Sequence, residues 1–139
     1  MSQTINERAA GGAISAGKVL NITLWVLQIA AAAMFLMVGF LKLSGNPQMV
    51  GTFEAIGLGQ WFRYLTGALE VTGALLLLIP RLSGLGALIL AGVMVGAVMT
   101  HLFVIGGSPL MAMILLVVTG LIAWGRRGRT MNLLFGRRR

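Results

Sequence analysis

Four long apolar stretches set the terms for any fold of this chain: Leu20 to Leu41, Trp61 to Ile79, Ser83 to Ile105 and Pro109 to Trp124. A helix needs about 20 apolar residues to cross a hydrocarbon core of about 30 Å. A barrel strand needs only about 10, alternating apolar with polar positions. None of the four stretches alternates with period two, and a segment in lipid must satisfy its own backbone hydrogen bonds. The expectation is an all-α integral membrane protein. The fourth stretch is the shortest, so it would need local thinning of the bilayer or snorkelling arginines at its end. Composition agrees with this reading. Hydrophobic residues make up 58% of the 139 and charged residues 10%, where soluble domains carry about 25% charge. Too little polar surface exists to cover a water-soluble core of this size.

The segments between the stretches suggest how they are arranged. Pro80-Arg81-Leu82-Ser83-Gly84 and Gly106-Gly107-Ser108-Pro109 read as tight turns. Short connections force neighbouring helices to run in opposite directions, so an antiparallel four-helix bundle is expected. Only the connection over residues 43–60 is long. Asn46 is placed as an N-cap with Pro47 at the first helical position, and Gly57 as a stop. Met49, Val50, Phe53 and Ile56 share one face between them, which predicts a short amphipathic helix on the outer surface between spans 1 and 2. The chain then divides into a flexible polar N-terminal arm (1–18), a domain of four transmembrane helices (19–125) and a basic cytoplasmic tail (126–139). The first stretch is too long for a signal-peptide core and is read as a retained span.

The net charge of +8 is concentrated at one end. Arg126, Arg127, Arg129, Arg137, Arg138 and Arg139 supply six of the eleven basic residues. A basic tail directly after an apolar span reads as a cytoplasmic stop and an anchor for anionic lipid. No basic-plus-aromatic module accompanies it, so nucleic acid is not an expected partner. Nine lysines and arginines fall on the side of the two termini, against only Lys42 and Arg63 on the other. Both termini are therefore expected in the cytoplasm. The absence of cysteine excludes disulfides, thiolate metal sites and iron–sulfur clusters. A single histidine, His101, cannot supply a bis-histidine haem within one chain, and no metal site is expected.

A few polar groups lie where lipid-spanning helices rarely keep them. Glu70 is nine positions beyond Trp61, about 13 Å along the helix axis. A carboxylate at that depth costs several kcal/mol unless it is paired, protonated or turned toward other helices. Arg63, Thr66, Gly67, Gly73, Ala74 and Leu77 share its face and are mostly small or polar, which predicts an inward orientation. Glu70 is read as a buried acid that binds a ligand or moves a proton, or else as a structural carboxylate held by Arg63 or another span. Lys42 ends a face formed by Gln28, Ala31, Phe35 and Gly39. It either snorkels to the headgroups or pairs with Glu70. His101 follows Thr100 near the end of the third span and is either a satisfied interfacial histidine or a ligand. Lys42, Arg63, Thr66, Glu70, Thr100 and His101 come from three spans and fall in the same half of the bundle, which predicts one polar pocket open to the outer face. Gly92 and Gly96 form a GxxxG expected to mark a close helix contact, within the chain or between chains. The methionines are expected to fill the core. Residues Met131 to Phe135 are read as an interfacial anchor on the inner leaflet.

Taken in order, these residues resemble the DoxX-like bacterial membrane proteins. The likeness lies in Gly39-Phe40-Leu41-Lys42-Leu43, in Phe53 to Gly57, and in Gly67-Ala68-Leu69-Glu70 continuing to Leu78-Ile79-Pro80-Arg81. Gly96-Ala97-Val98-Met99-Thr100-His101 and the arginines after the fourth span complete it, over roughly residues 22–127. The resemblance implies a multi-pass protein of the bacterial inner membrane. It also implies a link to redox chemistry, through small subunits of thiosulfate:quinone oxidoreductases and membrane complexes for oxidative-stress defence. With no intrinsic redox group, the chain would act as a quinone-binding or anchoring subunit beside a redox partner protein, with Glu70 in the catalytic role. Lys42, Arg63, Thr66, Thr100 and His101 would bind the ligand. A non-enzymatic scaffold or assembly factor is the alternative, and a small proton-coupled exporter working as a homo-oligomer is a third reading.

Overall fold

The computed structural model describes the backbone of residues 2–136 and the side chains of residues 17–136. Six α-helices follow in order: α1 (Ser2–Leu43), α2 (Pro47–Ile56), α3 (Gln60–Leu77), α4 (Ser83–Thr100), α5 (Leu110–Gly125) and α6 (Arg127–Phe135). α4 continues into a π-helical turn over His101–Ile105. No strand occurs among the described residues. The backbone is helical from Ser2, so α1 runs through most of the segment read as a polar arm. Alanines there favour helix and extend the span that follows. At the other end, residues 137–139 of the basic tail lie outside the described residues.

Two helical segments are long and apolar enough to cross a membrane, Gly17–Leu43 and Ser83–Ile105. α3 carries Arg63 and Glu70 on its buried face. α5 has 16 residues and is followed by α6 after a bend of 65°. The surface is that of a molecule solvated by lipid. Phe40, Phe103, Met111, Val117 and Trp124 are all more than half exposed, and water would not tolerate so much contiguous apolar area on a monomer.

α1 packs on α3, α3 on α4, α4 on α5, and α5 returns to α1. In lipid the hydrophobic effect cannot drive such packing, so close approach and polar contacts must. Gly39 and Gly67 meet at the α1–α3 crossing, where a Cβ on either would stand 3.1–3.2 Å from the other's carbonyl oxygen. At the α3–α4 crossing a Cβ on Gly86 would stand 2.7 Å from the Gly73 carbonyl oxygen and 2.9 Å from the Leu77 amide nitrogen. Phe35, Leu77, Leu90 and Ile122 fill the space enclosed by these helices.

Two expectations change here. Gly92 and Gly96 make no helix contact within the chain, since a Cβ on either meets nothing within 4 Å. That face of α4 borders a pocket instead. The methionines mostly face outward: Met94 is in the core, while Met37, Met99, Met111, Met113 and Met131 are about half exposed. The basic segment that follows α5 begins with a buried residue. Arg126 is 5% exposed, donating from Nε to Gln28 Oε1 (2.7 Å) and from Nη1 to Asn21 Oδ1 (2.9 Å). It fastens the end of α5 to α1. Gln28 in turn donates to the Leu77 carbonyl (2.8 Å), so one amide links α1, α3 and α5.

α2 forms as its sequence dictates. Asn46 Oδ1 accepts from the Gln48 amide (3.1 Å), Pro47 opens the helix, and Gly57 ends it at φ 83°. Phe53 is buried, with Met49, Val50 and Ile56 half-buried on the same side. The Gln60 side-chain amide donates to the Val50 carbonyl (3.2 Å) and holds α2 to the start of α3.

Candidate functional site

Beneath α2 lies a pocket of about 610 Å³, bounded by α1, α2, α3, α4 and the π-helical turn. That volume is within the range of small-molecule sites, about 300–1,000 Å³. Lys42, Thr66, Glu70, Thr100 and His101 all line it. Five of the six residues singled out from sequence are therefore brought together, from three helices and the turn.

Glu70 is fully buried on α3, and its Oε1 accepts from Lys42 Nζ at 2.5 Å. The 3.6-residue repeat accounts for this. Gly67, Gly73, Ala74 and Leu77 are buried on the same face as Glu70, and Gly67 lets α1 come close enough for Lys42 to reach across. Lys42 is itself largely buried, with Nζ 5.9 Å from the centre of the Phe53 ring. Phe53 stacks edge-on against Phe62 at 5.8 Å. The ammonium thus sits between a carboxylate and an aromatic face. Glu70 Oε2 is buried and has no hydrogen-bond partner among the described residues.

The other polar groups are held by their own helices. Thr66 donates to the Phe62 carbonyl and Thr100 to the Gly96 carbonyl, both at 2.8 Å. His101 Nδ1 lies 2.9 Å from the Ala97 carbonyl oxygen. A carbonyl only accepts, so Nδ1 carries a proton, and in the neutral tautomer that leaves the ring's lone pair on Nε2. Nε2 makes no hydrogen bond among the described residues. The π-helical turn that starts at His101 is a feature found mostly at functional positions. Glu70 and His101 both line the pocket, each with a side-chain atom, Oε2 and Nε2, that makes no hydrogen bond among the described residues, and Lys42 keeps donor capacity beside them, in walls that are mostly apolar.

Arg63 does not line the pocket. Its Nη1 donates to the Lys42 carbonyl and its Nε to Gln60 Oε1 (2.7 Å), with the guanidinium 4.3 Å over the Tyr64 ring. The carbonyls in the last turn of a helix lack internal donors, and a cation there is favourable. Arg63 caps α1 and so steadies Lys42. Sequence reasoning missed the wall supplied by α2, where Gln48, Met49, Thr52 and Phe53 also line the pocket. Its amphipathic face was the signal for that wall. Among the described residues no three metal-ligating side chains gather to hold an ion.

This is an all-helical protein of the membrane with a charged pair set in an apolar pocket. The chain belongs to the DoxX-like family, whose model matches residues 26–125. That match takes in α2, α3, α4 and α5 whole, the greater part of the apolar length of α1, and every residue of the pocket. Comparisons with curated proteins and with solved structures gave no match.

Proposed function

We propose that this chain is a four-span bacterial inner-membrane protein whose pocket binds a lipid-soluble quinol as one subunit of a membrane redox complex. The observation that carries the reading is the buried, unpartnered Oε2 of Glu70, set in an apolar pocket. A buried acceptor left without a partner costs about 1–3 kcal/mol, which a hydroxyl-bearing ligand would recover. His101 Nε2 is a second acceptor, so the pair suits two hydroxyl groups better than two carbonyls. When bound, a quinol supplies two electrons and two protons. Glu70 Oε2 would take one hydroxyl proton, with Lys42 beside the carboxylate that receives it, and His101 Nε2 would take the second proton from the other hydroxyl. Electrons pass to a partner protein that carries the redox group.

The topology proposed with this function is antiparallel, with both termini cytoplasmic. Support comes from the contacts of α1 with α3, where Gln28 meets Leu77 while Lys42 meets Arg63 and Glu70. Under that topology the pocket lies in the outer half of the membrane and releases protons outward, which suits quinol oxidation. α5, at about 24 Å, spans with help from the arginines at its end.

One observation favours a second reading. The Lys42–Glu70 pair and the Arg63 cap tie α1 to α3, as a structural cluster in a non-enzymatic scaffold would. The quinone content of detergent-purified protein separates the two. Wild type is expected to retain near-stoichiometric quinone, and Glu70→Gln to lose it while keeping the same size-exclusion profile. Quinone at the lipid background in both proteins would reject the binding reading and leave the scaffold.

A further inference from the structure

The pocket extends well along α4. Its lining there runs from Ile89 to His101, twelve residues on, or about 18 Å at the helical rise. A single ring occupies only part of that length. On this stretch Gly92 and Gly96 are exposed, and a Cβ on either would meet nothing within 4 Å. Glycine in a helix interior is disfavoured against alanine, and here no neighbouring helix requires it. Across the gap, Leu65 and Leu69 of α3 line the same pocket while remaining 45% and 37% exposed. The pocket is therefore bordered between α3 and α4 by residues that also face the surrounding lipid. Glu70, with its unpartnered Oε2, lies on the wall of the same pocket.

We propose that the gap between α3 and α4 is a lateral portal for the isoprenoid chain of the quinol, kept open by Gly92 and Gly96. The proposal rests on the quinol reading of the pocket and adds the path of the tail. The ligand enters sideways from the bilayer. Its head reaches Glu70 and His101, and its chain stays in lipid beside the two glycines. The portal leaves the chain in an apolar medium throughout, so no desolvation or re-solvation of the tail opposes entry. Bulk added at these positions would block the chain without touching the polar end.

The test compares wild type with the Gly92→Leu/Gly96→Leu double variant, each in nanodiscs of one lipid composition. Two probes are used: a dimethoxy-methyl-benzoquinol without a side chain, and the same ring carrying a decyl chain. Equal lipid content makes partitioning of the probes cancel between the proteins. The expected result is a loss of about tenfold in affinity for the decyl compound, equivalent to about 1.4 kcal/mol. Affinity for the bare ring should change less than about threefold, by the same arithmetic. Gly92→Ala/Gly96→Ala, with less added bulk, should give a smaller loss in the same direction. Unchanged decyl affinity in the leucine variant, with both probes still bound, would overturn the portal and leave the quinol site standing. Failure of either probe to bind the wild type would overturn both.

Discussion

Lys42 and Glu70 are the residues on which the site depends, and their energetics are asymmetric. A buried ion pair contributes little net stability, because desolvation offsets the attraction, but removing one partner strands the other charge in an apolar setting. Lys42→Met is therefore expected to lower stability by about 3–5 kcal/mol, read as a fall in thermal midpoint and in membrane abundance. The double change Lys42→Met/Glu70→Leu should recover most of that stability and bind no quinone. Recovery of both stability and function in the double variant would show that the pair serves structure alone. The pairing was legible in sequence because both charges were expensive and lay on inward faces. A satisfied His101 was one alternative in sequence, whereas its partner, the Ala97 carbonyl of its own helix, required the geometry. Arg126 was not legible. Its partner Gln28 lies 98 residues away, and only the rotation of α5 about its axis brings the two together.

At the scale of helices, glycine decides where α1, α3 and α4 can approach. Gly86 faces backbone atoms that cannot move aside, at 2.7 Å and 2.9 Å from an added Cβ. Gly86→Ala is thus expected to destabilise by about 1–3 kcal/mol, as overpacking does. Gly92→Ala, with open space around it, should be neutral or should stabilise by about 0.5–1 kcal/mol through helix propensity. Thermal unfolding in one detergent would rank the two, and equal losses would contradict the crossing geometry. The GxxxG at Gly92 and Gly96 shows what sequence alone leaves open about a contact. The motif records that a helix face is smooth, while what lies opposite that face depends on the packing of other helices. The ends of α2, by contrast, were set by local chemistry. The Asn46 cap, Pro47 and the positive φ of Gly57 act within a few residues of one another, so the helix was found where expected.

The whole molecule has its polar pocket at the end covered by α2 and the Arg126 contacts at the opposite end. Asymmetric lysine and arginine content orients such chains in a membrane. Because the chain has no cysteine, single cysteines report topology without background. A cysteine at Glu54 on α2 should react with a membrane-impermeant maleimide in intact spheroplasts, and one at Asn132 on α6 only after the membrane is opened. The reverse pattern would place the pocket in the inner half and remove the case for outward proton release. The positions of the helices along the chain were legible from hydropathy and turn residues, yet only two segments reach spanning length and composition on their own. The shortfall lies in α3, which gives up hydropathy for Arg63 and Glu70, and in α5, which is short. Both departures belong to the helices that supply the carboxylate and the Arg126 anchor, so polar function and spanning length compete for the same residues.

Photolabelling with an azido-quinone in native membranes tests the central claim most directly, with the labelled peptides mapped by mass spectrometry. Label is predicted within residues 65–70 of α3 and 89–101 of α4, competed by excess decyl quinone and lost in Glu70→Gln. Label spread over the lipid-facing surfaces of α1 and α5, indifferent to competitor and to Glu70→Gln, would contradict it.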